Sequence, residues 1–197
     1  MPEPSPPRRS RLQLVRHHLR QVHHVEAGKL VIRPARPNED ASALVELHRA
    51  VLEEGSFFVT ESDELREGPE VRASSLHQLE RSDNSVCMVA ELDKVLVGMV
   101  VIQGGLLRRV RHTGKLEILV AEQARGKGVG SHLLQAVLDW ATRHRTLTKL
   151  GLNVFSHNEQ AIRLYEAHGF KREGYRAREY RLADGSYWDD VLMARSV

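Results

Sequence analysis

The chain has 197 residues, enough to bury one substantial core but too few for two comfortable domains. With 41% hydrophobic and 28% charged residues, and no apolar run near the roughly 20 residues of a membrane helix, the composition excludes a helical membrane protein. The formal charge of +3 resides wholly in residues 1–28, where five arginines face two glutamates, so the body has no basic excess with which to grip a nucleic-acid backbone.

Residues 1–28 combine Pro2, Pro4, Pro6 and Pro7 with those arginines and the pairs His17/His18 and His23/His24. They read as a flexible arm ahead of a domain spanning 29–197. No apolar stretch of signal-peptide type follows the basic residues, while the Arg-rich, acid-poor character leaves a transit peptide open. The histidines lack an accompanying carboxylate or cysteine cluster, and no metal site is expected. Cys87 is the single cysteine, which rules out an intramolecular disulfide and a multi-cysteine zinc site and fits a reducing, cytoplasmic setting. Within the apolar run Val86–Ala90 it reads as a small buried hydrophobe.

Regular structure is expected from Lys29 onward. Leu30–Arg33 reads as a short strand. A helix from Glu39 to Glu54 follows, because Ala43, Leu44, Leu47, Val51 and Leu52 recur at helical spacing. After a polar, acidic stretch, Pro69 suits the first turn of a second helix ending near Arg81. Val86–Leu92 and Val95–Ile102 flank Asp93-Lys94 as an antiparallel hairpin. Then come a strand Lys115–Ala121, a helix Gly128–Arg143, a strand Lys149–Val154, a helix Glu159–Ala167 and two strands around Asp184-Gly185. This order predicts an α/β chain with a mixed sheet and helices on both faces.

The densest chemical signal lies between Val120 and Leu134, where Gly126, Gly128 and Gly130 separate a buried strand from an amphipathic helix. Glycines let a backbone approach a ligand closely, and the unpaired N–H groups and dipole of a helix start favour an anion. The spacing fits neither a Walker A loop nor a dinucleotide fingerprint. Arg125-x-x-Gly128-x-Gly130 does resemble the R-x-x-G-x-G signature of the GNAT N-acetyltransferase superfamily. The resemblance continues about 30 residues on, in Asn158, Ala161, Leu164-Tyr165 and Gly169-Phe170. It covers roughly Leu30–Val197 and implies a central mixed, largely antiparallel twisted sheet flanked by helices.

What the resemblance implies for the site follows residue by residue. Leu119 and Val120 would offer backbone groups to the pantetheine arm of acetyl-CoA, the co-substrate, and the Val120 N–H would stabilise oxyanion charge. Arg125, Gly126, Lys127, Gly128, Val129, Gly130 and Ser131 would cradle the pyrophosphate, with Asn158 and Tyr165 completing the cofactor site. Tyr165 stands where the family places the acid that protonates the leaving thiolate. In several relatives a glutamate on the strand before the second motif is the base, and the matching position here is Asn153, which cannot serve. Glu117 or His112, acting through a water, or a solvent-connected water chain, are the alternatives.

The acceptor is expected against the first two helices and the last strands. Glu53, Glu54, Glu61, Asp63, Glu64 and Glu67, opposed by Arg66, form either an acidic wall for a cationic amine or a solvated face. The stretch Tyr180–Met193 resembles members acting on small amines or amino acids. A protein N-terminus or lysine, a non-catalytic acyl-CoA sensor, and a homodimer through the late strands are the other readings.

Overall fold

A computed structural model describes residues 19–197. These described residues form one eight-stranded sheet and four α-helices. The strands are β1 (Gln21–Val25), β2 (Gly28–Pro34), β3 (Val86–Leu92), β4 (Val95–Gly104), β5 (Thr113–Val120), β6 (Lys149–Phe155), β7 (Lys171–Arg181) and β8 (Tyr187–Ser196). The helices are α1 (Pro37–Glu53), α2 (Pro69–Arg81), α3 (Val129–Thr142) and α4 (Glu159–Ala167). Strand order is β1-β2-β3-β4-β5-β6-β8-β7, antiparallel throughout except between β5 and β6. Every element read from the sequence is present, within a few residues of its expected ends.

The arm is the main correction. Gln21–Val25 does not belong to a free segment but pairs antiparallel with Gly28–Ile32 as the outermost strand. The prolines, most of the arginines and the pair His17/His18 lie outside the described residues. His23 stacks against His132 of α3 at 4.0 Å, tying this edge strand to a helix. The β3–β4 hairpin turns where expected. Asp93 and Lys94 have φ of +48° and +72°, the mirror-image turn whose twist matches antiparallel strands.

Val97, Gly98, Met99 and Val100 are buried in succession, so both faces of the sheet are covered at β4. Cys87 is buried in the same core, and burial pushes its thiol up to about 12, as suits a small hydrophobe and not a nucleophile. No helix among the described residues is long and apolar enough to cross a membrane.

α1 is locked to the sheet by a buried ionic cluster. Arg33 on β2 holds both oxygens of Asp40 at 2.7 and 2.8 Å and reaches Glu91 on β3 at 2.5 Å. Asp40 also accepts the Arg36 N–H at 2.7 Å. On the other side, His48 of α1 meets Arg72 of α2 through its Nδ1 at 2.8 Å and packs edge-on to Phe58. Burial first, and the Arg72 charge second, push this imidazole down to about 4. An unfolded chain takes up a proton near pH 6.5 that the folded one refuses, so stability falls as pH drops from about 6.5 toward 4. His48→Gln is expected to flatten that part of the profile, measured as urea midpoints at pH 7 and pH 4.5.

Candidate active site

β5 and β6 run parallel for only three pairs, Thr113–Lys115 against Lys149–Gly151. Beyond them the strands diverge, leaving Leu116–Val120 without a strand partner on that side among the described residues. Ala121 donates its N–H to Val97 on β4 at 2.8 Å. Two-residue alternation along the strand therefore turns the backbone of Leu119 toward β4 as well, and that of Ile118 and Val120 toward the open fork. The fork leads into a cleft of about 880 Å³ that reaches from the glycine loop to β7.

The loop at one end is built as an anion cradle. After a 3₁₀ turn at Glu122–Ala124, Gly126 and Gly128 take φ of +70° and +81°, conformations that glycine adopts without strain. Gly128 is the N-cap of α3, and no side chain among the described residues caps the helix, so the first N–H groups after Gly128 stay available at the positive end of the dipole. A Cβ on Gly126 would meet nothing within 4 Å among the described residues, so the concavity is open there. The helix begins one residue later than expected, at Val129, whose side chain is buried.

Several side chains here have tasks other than those expected. The Arg125 guanidinium is closed by Glu54 at 2.5 and 2.6 Å, lies over the Phe57 ring, and donates from Nε to the Val120 carbonyl at 3.0 Å. Its charge is spent on fastening the end of α1 to the end of β5. Lys127 folds back onto the Gln123 carbonyl at 2.7 Å and does not line the cleft. The Ser131 hydroxyl meets His168 at 3.1 Å, and Asn158 caps α4 through Ala161 N at 3.1 Å while lining the cleft. The acidic stretch after α1 is no wall. Glu54 is held by Arg125, Glu67 by Arg72, and the segment that lines the cleft is Phe57–Thr60.

Tyr165 projects into the cleft from α4, 6% exposed, with its ring edge-on to Phe170 at 5.8 Å. Burial first, and then the nearby Glu117 charge, push its phenol above the ordinary value of 10. It stays protonated at any physiological pH, as a proton donor must. Glu117 lines the same cleft from β5. His112 does not. It precedes β5 at the closed end of the fork, where its carbonyl accepts the N–H groups of Thr148 and Lys149.

Two residues at the far end were not picked out as site residues from the sequence. Asp190 on β8 is 1% exposed and accepts from Asn153 Nδ2 at 2.5 Å, so a carboxylate does stand beside the asparagine. Arg176 on β7 is the register partner of Asp190 and lines the cleft with Phe155 and Tyr180. The available signal was an acid at an inward-facing position of a strand, two residues from Leu192. Among the described residues no group of three or more histidine, cysteine or acidic side chains is arranged to hold a metal.

Residues 42–170 match the model of the Acetyltransferase (GNAT) family, about two-thirds of the chain. The chain belongs to this family. A crystal structure of a GNAT-family acetyltransferase from Streptococcus pneumoniae is 33% identical, superposes with a TM-score of 0.81, and covers 85% of this chain and 99% of its own. The L-amino acid N-acetyltransferase AaaT of Escherichia coli is 31% identical over 108 residues, 55% of this chain and 66% of the relative. A spermidine N(1)-acetyltransferase of Vibrio cholerae is 29% identical over 102 residues, 52% of this chain and 57% of the relative. The chain thus spans less than two-thirds of the length of these curated relatives. GNAT acetyltransferases use acetyl-CoA, and the fork and uncapped helix start both fall within the matched residues 42–170.

Proposed function

We propose that this chain transfers the acetyl group of acetyl-CoA to a primary amine of a small molecule or amino acid, by direct attack within a ternary complex. The observation that carries the reading is the β5/β6 fork, which brings an outward-facing Val120 N–H, an uncapped helix start and the protonated Tyr165 hydroxyl into one cleft. The pantetheine arm would extend β5 at its open edge, with the pyrophosphate against the N–H groups of Gly126 to Gly130. The amine nitrogen attacks the thioester carbon. The developing oxyanion is met by the Val120 N–H, the C–S bond breaks, the thiolate takes the Tyr165 proton, and the proton that nitrogen sheds on becoming an amide returns to the Tyr165 oxygen. Glu117, the one acid among the described residues that line the cleft, accepts the ammonium proton through water. A primary ammonium of pKa near 10.4 must lose that proton first, at a cost of about 4 kcal/mol at pH 7.

A small acceptor is supported by the aromatic far end, where Phe155 packs on Tyr180 at 5.2 Å and on Trp188 at 4.9 Å. The relatives named for L-amino acid and spermidine acetylation point the same way. Thiol release from acetyl-CoA across amino acids, polyamines, aminoglycosides and peptides tests the reading. Gly128→Trp, which puts a bulky side chain at a left-handed position in the cradle, is expected to raise the dissociation constant of acetyl-CoA at least ten-fold. Undiminished binding by that variant, or no acyl-CoA binding by the natural chain, would defeat the assignment. Tight binding with turnover only on peptides would move the acceptor to a protein terminus or lysine.

A further inference from the structure

The far end of the cleft holds a guanidinium whose donors are largely unspent. Arg33 and Arg125 are each closed by bidentate carboxylates, whereas among the described residues Arg176 makes one bond of 3.1 Å to Glu179 and comes no nearer than 3.8 Å to Asp190. Its side chain is 48% exposed and lines the cleft. A guanidinium offers five N–H donors in a planar fork, and one bond leaves most of them facing the space.

The same residue is held firmly from beneath. Asp190 is buried, fixed through one oxygen to Asn153, and its Oδ1 has no hydrogen-bond partner among the described residues. A buried carboxylate in that condition is costly unless a cation stays beside it, which keeps Arg176 over this spot. The strand itself is pinned there. Register slips between Arg176 and Tyr180, and Arg178 takes a φ of +55°. Asp189 fastens this bulge by accepting the Arg178 N–H at 2.6 Å and the Tyr175 hydroxyl.

We propose that Arg176 binds the carboxylate of an amino-acid acceptor, making the substrate an amine that carries an anionic group, not a polyamine. This rests on the acetyl-transfer reading above. Planar bidentate pairing is what a guanidinium offers a carboxylate and an ammonium does not. A zwitterion needs opposite charges on two sides, and Glu117 of β5 and Arg176 of β7 supply them on the two sides of the fork. A polyamine would bring a second cation against Arg176.

The test is calorimetric binding of the twenty L-amino acids, their α-amides and spermidine to the full chain saturated with coenzyme A, with thiol release from acetyl-CoA run in parallel. At least one amino acid is expected to bind ten-fold or more tightly than its amide. Arg176→Gln should erase that margin and leave the amide unchanged. Arg176→Lys keeps a cation over Asp190, and so the fold, and should cut the margin at least three-fold. The proposal is overturned if no amino acid outbinds its amide, if spermidine binds more tightly than every amino acid, or if the margin survives in both variants. Carboxylate-dependent binding without thiol release would remove acetyl transfer and leave the Arg176 site standing. Equal thiol release with acids and amides would do the reverse.

Discussion

Tyr165→Phe is expected to lower kcat for acetyl transfer by about 100-fold while shifting the melting temperature by no more than about 2 °C, since a positioned acid contributes roughly 10²–10⁴. The phenol makes no side-chain hydrogen bond among the described residues, so its removal breaks nothing structural. In the proposed reaction what is lost is the proton for the departing thiolate, a group of pKa about 8.5 in ordinary thiols. Burial and Glu117 raise the Tyr165 pKa, so its acid form persists past pH 10. The natural chain should therefore gain rate with pH as the amine deprotonates, with no decline from this acid below pH 10. A variant within two-fold of the natural kcat would mean that the thiolate leaves without help from this hydroxyl.

Asp40→Ala is expected to destabilise the fold by about 3–5 kcal/mol, the range for breaking a buried ion pair from one side. For a chain of this size that lowers the melting temperature by roughly 10 °C or more. Arg33 would keep Glu91 as its carboxylate and the Pro34 carbonyl, and the Arg36 N–H would lose its acceptor at the start of α1. Burial by itself raises the Asp40 carboxyl, but the Arg33 hydrogen bonds, the Arg36 N–H and both positive charges outweigh it and hold the group below the ordinary value. The contribution is thus present above the unfolded value, about 3.9, and is lost as pH falls through the lower folded value. The gap between the two proteins should narrow below about pH 4 in thermal melts. Combining Arg33→Met with Asp40→Leu should recover most of the loss, because apolar pairs often replace buried ion pairs at little cost. A double variant as unstable as Asp40→Ala would show that the cluster fixes the α1 entry in a way packing cannot replace.

β1 went unread because Val22-His23-His24-Val25 lacks an alternating apolar face, and its pairing comes from the free edge of β2. Arg125 was legible as part of a motif but not in its task, since its partner Glu54 lies 71 residues earlier in the chain. His112 looked near the chemistry because it precedes β5 by one residue. The strand is eight residues long, at roughly 3.3 Å each, and the proposed chemistry lies at its other end.

The sequence by itself determined the cradle, the helix behind it, the tyrosine and the family, because each depends on residues within about one turn or one strand of each other. Glycine spacing, a capping asparagine and helical periodicity act locally and can be read locally. The tertiary structure alone decided how far β5 and β6 separate, that a carboxylate from β8 stands beside Asn153, and that Arg176 faces the cleft with donors to spare. Those facts depend on register between strands distant in the chain, and on which charges meet when the sheet closes. Hydrophobic periodicity sets which face of a strand is inward, but not which neighbour it will find there.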